Sequence, residues 1–102
     1  MTKRYVLVKV ICKRTLSGEQ FGSALMDSVR RYFGEFGLAR VAPKMIRFDA
    51  TKSEAIVACN REGTEDLQAA IGLISDAPEA AITAITMRVS GTIKSLRRRQ
   101  PF

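Results

Sequence analysis

RYVLVKVICK, residues 4–13, alternates strictly along its length, and this stretch decides the class of fold. Because successive side chains of an extended chain point to opposite sides, every second residue from Val6 to Cys12 falls on one apolar face. Tyr5 begins the opposite face, which also carries Lys9, so water reaches that side. The pattern therefore predicts a strand that packs one face against a core and leaves the other partly solvated.

The next segment changes to a helical period. Ser17 is placed to cap a helix, and Gln20, three residues later, completes a capping box. Apolar residues then recur every three or four positions along one side, as expected for a helix that packs against a sheet. They are Phe21, Leu25, Val29, Phe33 and Phe36. Gly37 is expected to end this helix, which gives a helix over residues 18–36.

The remaining pattern supplies three more strands and two helices. Alternation places Ile46 and Phe48 on one face of their strand, and Ile85, Met87 and Val89 on one face of the last strand. The predicted elements are strands at 43–49, 54–60 and 81–90, and helices at 64–75 and 91–99. The whole chain, 1–102, is thus predicted to be a single domain of α+β class. It is a ferredoxin-like or RNA-recognition-like sandwich with a βαββαβ order and an added C-terminal basic helix. By analogy with that fold, the antiparallel sheet should have strand order 4-1-3-2.

Composition narrows the class of protein. The 102 residues suffice for one core, and no apolar run resembles a signal peptide or a membrane span, which favours a cytoplasmic protein. Cys12 and Cys59 stand alone in apolar runs and are expected to be buried thiols. The chain has no histidine and no paired cysteines, so a metal site of its own is not expected.

Positive charge is concentrated at the two ends of the chain. The net charge is +7, and residues 1–14 and 88–102 each contain five basic residues and no acid. Such asymmetry favours a polyanion as partner. The expected topology gathers basic residues at one end of the domain, where Arg40 and Lys44 would also begin the second strand. The predicted RNA-binding residues are Lys3, Arg4, Arg61, Arg88, Lys94, Arg97, Arg98 and Arg99.

The mode of RNA binding follows from the kinds of side chain available. Guanidinium groups bind phosphate oxygens in pairs, whereas a solvated basic tail is the competing interpretation of the arginine triplet. The open face of the sheet should show Tyr5, Lys9, Arg47 and Arg88, with Tyr5 as its aromatic residue. Recognition of RNA shape and phosphates is therefore expected, with base stacking secondary.

Catalysis by this chain is not expected. The chain has no histidine, so an acid–base ribonuclease would have to use carboxylates or lysines alone. The clustered carboxylates of Glu62, Glu65 and Asp66 suit the first turn of a helix instead. Two alternatives to a subunit of an RNA-processing complex stay open at this point. One is a stand-alone RNA-binding or ribosomal protein, and the other is a small-molecule regulatory domain of ferredoxin-like fold.

Four segments resemble one known family. They are KRYV at 3–6, FGEFGLA at 33–39, CNREGTEDLQAAIGLI at 59–74 and VSGTIKSLRRR at 89–99. Together they are similar to archaeal ribonuclease P protein component 2, the counterpart of the eukaryotic Pop5 subunit in the Pop5/Rpp14 family. The resemblance covers nearly the whole chain, and the C-terminal segment is its most specific part.

The resemblance implies a non-catalytic subunit of the ribonuclease P holoenzyme, which removes the 5′ leader of precursor tRNA. In this family the RNA subunit cleaves with bound Mg²⁺, the protein supports the catalytic domain of the RNA, and the chain itself binds no cofactor. The implied partners are ribonuclease P RNA, a p30-type protein subunit, a second copy of the chain and, indirectly, precursor tRNA, with no membrane. Arg61 and residues 94–99 would contact RNA. Leu7, Ile11 and Met45 would contact protein.

Overall fold

A four-stranded antiparallel sheet, backed by two helices on one side, organises the chain. The structure, a computed structural model, describes residues 2–12, 17–74 and 82–94. Its elements are β1 (Lys3–Cys12), α1 (Gly18–Val41), β2 (Lys44–Asp49), β3 (Glu54–Asn60), α2 (Thr64–Leu73) and β4 (Ile82–Ser90), with a 3₁₀ turn at Arg61–Gly63 before α2. The α+β class and the element order are as predicted. The helix predicted at 91–99 lies mostly outside the described residues. Of its positions, 91–94 are described, and Ile93 and Lys94 among them are helical.

The strand order β2-β3-β1-β4 confirms the predicted sheet. The two central strands supply fully buried side chains to the core, including Val6, Val8 and Val57. Phe21 of α1 and Leu67 of α2 cover them with no exposed surface of their own. Because the helices cover only one side, the face of β1 that carries Tyr5, Leu7 and Lys9 is the open side of the sheet.

The first helix begins as predicted and ends later. The Ser17 side chain accepts from the Gln20 amide at 3.1 Å, and the Gln20 side chain accepts from the Ser17 amide at 2.9 Å, which completes the capping box. The predicted stop at Gly37 is wrong, because α1 extends to Val41 and is closed by Ala42 in the left-handed conformation. The helix is interrupted instead at Gly34, where φ is +73° and ψ is −177°.

This interruption changes which side chains reach the core. Phe36, predicted to belong to the apolar stripe, is 94% exposed, so that prediction is wrong. The helical phase established before Gly34 does not continue after it, and Gly37 and Val41 are the buried residues of the second segment. Phe33, on the near side of the break, is half-buried and still packs against the core.

Two β-bulges invert the alternation that the sequence indicates. In β2 the register shifts between Met45 and Arg47, so that Met45 lies opposite Val57 and Phe48 opposite Ala55, both on the helix side. Ile46 and Phe48 therefore do not share a face as predicted. In β4 the register shift leaves Met87 without a partner on β1. Ile85 and Val89, on either side of it, therefore lie on opposite faces of the sheet. A bulge adds one residue to a strand, and each added residue reverses the side on which later residues point.

Candidate nucleic-acid interface

The start of β1 and the end of β3 bring basic residues together. Lys3 pairs with Asn60 across the two strands. The backbone amide of Arg61 donates to the carbonyl oxygen of Thr2 at 3.0 Å, which fixes the 3₁₀ turn beside the first residues of β1. Both Lys3 and Arg61 are exposed. Their charged groups therefore project into solvent from one end of the sheet.

The chain leaves β4 at the same end. Ser90 pairs with Tyr5, and a Cβ atom added to Gly91 would lie 3.3 Å from the Nη1 atom of Arg4. The same Nη1 donates to the carbonyl oxygen of Lys3 at 3.2 Å. Lys94 is exposed and follows Gly91 by three residues, at most about 11 Å of chain. We call Lys3, Arg4, Arg61 and Lys94 the basic end.

Cys59 lies beneath this cluster. Burial raises the pKa of its thiol, while the Thr64 hydroxyl and the positive charges of Lys3 and Arg4 act in the opposite direction. The Sγ atom of Cys59 is 3.8 Å from Oγ1 of Thr64. Cys59 is thus the buried thiol that the sequence predicts, and the charges of two basic-end residues reach it. The side chain of Cys12 lies outside the described residues.

Arg40 is held in an ion pair close to this end of the molecule. Its guanidinium binds the carboxylate of Asp66, and its carbonyl oxygen accepts from the side-chain amide of Asn60 at 3.1 Å. Asp66 and Glu65 occupy the first turn of α2, as predicted for these carboxylates. Because Asp66 neutralises it, Arg40 contributes less to the local positive potential than the exposed residues of the basic end.

Arg88 belongs to a different surface. It lies opposite Leu7, four residues along β1 from Lys3, a separation of about 13 Å. The pairing Arg47–Ile56–Leu7–Arg88 forms one row across the open face of the sheet. The predicted gathering at one end thus includes Lys3, Arg4, Arg61 and Lys94 but not Arg88. Arg97, Arg98 and Arg99 lie outside the described residues.

The three residues expected to contact protein do not share one surface. Leu7 and Ile11 lie on the open face of β1, where Ile11 is 52% exposed. Met45 lies on the helix side, packs against the core, and lines an apolar cleft of about 610 Å³ between α1 and β2. Ile85 and Met87, which alternation placed on one face of the last strand but which were not among the three residues expected to contact protein, are also exposed, and Ile85 lies diagonally to Ile11.

Within residues 2–12, 17–74 and 82–94, no group of three or more histidine, cysteine or carboxylate side chains could hold a metal ion. None of the helices in these residues is long and apolar enough to cross a membrane.

Comparison with known proteins identifies relatives over almost the full chain. The model of the Rpp14/Pop5 family matches residues 4–100. Ribonuclease P protein component 2 of Pyrococcus furiosus is 33% identical over 97 residues, which cover 95% of this chain and 81% of the relative. The protein of the same name from Pyrococcus horikoshii is 33% identical over 96 residues, covering 94% of this chain and 80% of the relative.

A solved structure agrees on the fold. A chain in the cryo-EM structure of yeast ribonuclease MRP superimposes with a TM-score of 0.74, covering 98% of this chain and 79% of that one. The two sequences are only 15% identical, so this match bears on the fold alone. The family resemblance read from the four sequence segments is confirmed.

Proposed function

Because the chain belongs to the Rpp14/Pop5 family, we propose that its basic end binds the RNA subunit of ribonuclease P and supports the catalytic domain of that RNA. The chain is a protein component of ribonuclease P, a non-catalytic one within the holoenzyme. Family membership selects this function over a stand-alone RNA-binding module and over a small-molecule regulatory domain. The process it serves is removal of the 5′ leader of precursor tRNA, and we place it in the cytoplasm.

The observation that carries the proposal is the convergence of three separate chain segments. Lys3 and Arg4 begin β1, Arg61 follows β3, and Lys94 follows β4, yet hydrogen bonding and close packing bring these segments to one end of the sheet. Unscreened cations repel one another, whereas a phosphate backbone neutralises them and releases its counterions. A folded RNA presents phosphates at the spacing needed to meet several such groups together.

The chemistry of cleavage is assigned to the RNA. The chain has no histidine, and of the carboxylates near the basic end Glu62 lies in the 3₁₀ turn, Glu65 and Asp66 lie in the first turn of α2, and Asp66 is already bound to Arg40. We therefore assign Mg²⁺ to the RNA and a purely electrostatic and structural role to this chain. By lowering repulsion between RNA phosphates, the chain reduces the concentration of Mg²⁺ that the folded RNA needs.

The remaining partners follow from the same proposal. We expect a p30-type protein subunit to bind this chain within the holoenzyme, together with association between two copies. Contact with precursor tRNA is then indirect, through the RNA that this chain supports.

Reconstitution tests the proposal. Purified RNA subunit and p30-type subunit are combined with this chain, and cleavage of precursor tRNA is measured at low Mg²⁺. We expect the double variant Arg61→Ala/Lys94→Ala to reduce RNA affinity at least tenfold and to raise the Mg²⁺ requirement. The control Arg31→Ala/Lys52→Ala removes the same charge from exposed sites elsewhere and should keep wild-type affinity. Equal activity with and without this chain would overturn the proposal.

A further inference from the structure

The open face of the sheet combines an aliphatic centre with cationic edges. One row across it reads Arg47, Ile56, Leu7 and Arg88, so the arginines stand on the two outer strands and the aliphatic residues on the two inner strands. The neighbouring row, on the side of the basic end, places Lys44 at the β2 edge and Tyr5 on β1. The face is therefore neither uniformly polar nor uniformly basic.

Exposed aliphatic side chains concentrate over β1 and β4. Ile11 is 52% exposed, Ile85 48% and Met87 56%. Ile11 and Ile85 lie diagonally across the β1–β4 pair, and Met87 follows Ile85 by two residues, in the register between the Thr86–Val8 and Arg88–Leu7 pairs. Lys9 lies between Leu7 and Ile11 on the same face, and its ammonium group donates to the carbonyl oxygen of Lys52 at 2.8 Å. The patch therefore consists of Leu7, Ile11, Ile85 and Met87 around the aliphatic stem of Lys9. Contiguous exposed apolar surface of this kind marks a contact with another macromolecule.

Charge on this face changes sign along the strands. Lys44 and Arg47 lie toward the basic end, whereas the row at the opposite end contains Asp49 and Glu54 together with one cation, Lys9, which pairs with Glu54. The Asp49 carboxylate already accepts from the amides of Thr51 and Lys52, at 3.0 and 3.1 Å. A partner that covers this face would therefore bind most favourably if it placed negative charges over the cationic half.

The dimensions of the face suit one helix. Four strands span about 14 Å between the outer strand axes, and β1 from Tyr5 to Ile11 extends about 20 Å. An α-helix is about 10 Å wide and needs roughly 13 residues to extend 20 Å. A second copy of this chain, whose net charge is +7, offers less complementary charge to this face than a partner segment rich in carboxylates.

We propose that the open face, centred on Leu7, Ile11, Ile85 and Met87, is the docking site for one amphipathic helix of a protein partner. Carboxylates on the flanks of that helix lie over Lys44 and Arg47. The patch is aliphatic, and Tyr5 alone among the described residues of the face could stack on a base, which favours protein over single-stranded RNA. The inference rests on the proposed function in one respect, namely that the partner is another subunit of the same ribonucleoprotein.

Site-specific crosslinking in the reconstituted holoenzyme tests this inference. Ile85 is replaced by the photoreactive residue p-benzoylphenylalanine, and Lys52, in the turn after β2, is replaced in a control. We expect Ile85 to give a ribonuclease-resistant adduct whose mass is that of this chain plus a different protein subunit. A nuclease-sensitive adduct would mean that RNA covers the face. An adduct of twice the chain mass would mean a second copy, and no adduct would mean an uncovered face. Each of these three results overturns the inference.

A charge placed in the patch gives a second, independent measurement. Ile85→Asp should lower the affinity for the crosslinked subunit at least tenfold, because a carboxylate would lose its hydration when the helix docks. Its affinity for the RNA subunit should stay within twofold, whereas basic-end variants should show the opposite pattern. Ala69→Asp, an exposed position on α2, is the matched control. Unchanged binding of Ile85→Asp to the protein overturns the docking site, and unchanged RNA affinity of the basic-end variants overturns the proposed function instead.

Discussion

Gly63 lies directly against Val41, so closely that a Cβ atom at residue 63 would stand 2.6 Å from the Cα atom of Val41. This contact joins the end of α1 to the 3₁₀ turn that carries Arg61. Val41 is fully buried and cannot move aside without disturbing the core. The position of a basic-end residue is therefore coupled to the packing between the helices and the sheet.

Gly63→Ala should destabilise the fold. The added methyl group meets backbone rather than a flexible side chain, so we expect a loss of about 1–3 kcal/mol in the free energy of unfolding. Gly72→Ala is the control, because a Cβ at this α2 position meets no atom within 4 Å. That replacement should stabilise the helix by up to about 1 kcal/mol. Urea denaturation of both variants measures the difference, and equal stabilities would contradict the packing at Gly63.

Two phenylalanines on α1 should respond very differently to truncation. Phe21 is fully buried, and Phe21→Ala should cost about 3–5 kcal/mol through lost burial and the cavity that remains. Phe36 is 94% exposed, and Phe36→Ala should change stability by no more than about 0.5 kcal/mol. Thermal or urea denaturation distinguishes the two. A large loss for Phe36→Ala would mean that the helix continues in phase through Gly34.

The contrast between Phe21 and Phe36 shows which parts of the fold the sequence pattern predicts and which it does not. Strict alternation in β1 and the Ser17–Gln20 box each depend on local periodicity or a local hydrogen bond, and both are confirmed. The break at Gly34 could not be predicted from local pattern, because glycine adopts positive and negative φ about equally and tertiary packing decides which sign it takes.

The two β-bulges could not be predicted from local pattern either. Nothing in the alternation of residues 81–90 indicates that Met87 has no partner on β1, since a bulge is fixed by how two strands fit over the core. The candidate site divides in the same way. The convergence of Lys3, Arg4, Arg61 and Lys94 followed from topology and was predictable, whereas the placement of Arg88 away from them depended on register.

The ionisation of Cys59 should report on the charges around it. Burial raises its pKa, so the folded chain disfavours the thiolate relative to the unfolded chain. Stability should be unaffected well below the ordinary thiol pKa and should fall as pH rises from that value toward the higher folded one. Thermal melts across alkaline pH, in a Cys12→Ser background, should therefore show a steeper decline than the same chain with Cys59→Ala. Identical pH profiles would mean that Cys59 is not desolvated.

Removing the nearby cations should move the same pKa further. Lys3 and Arg4 both favour the thiolate of Cys59, so Lys3→Gln/Arg4→Gln should raise the pKa of Cys59 above its value in the unsubstituted chain. The pH dependence of thiol alkylation, again with Cys12→Ser, measures it. Arg31→Gln/Lys52→Gln, with the same loss of charge elsewhere, should leave the profile unchanged. A shift of equal size in that control would attribute the effect to net charge rather than to the basic end.

Salt dependence should count the phosphates that the basic end neutralises. For binding to the RNA subunit, each lost phosphate contact should reduce the slope of log binding constant against log salt concentration by about 0.7–0.9. Arg61→Ala and Lys94→Ala should each reduce the slope by that amount. Arg97→Ala/Arg98→Ala should weaken RNA binding as well, with a melting temperature close to that of the unsubstituted chain. Lys52→Ala, in the turn after β2, should keep the original slope. If Lys52→Ala and Arg61→Ala reduced the slope equally, RNA would be responding to net charge, and the convergence of Lys3, Arg4, Arg61 and Lys94 would have no part in binding.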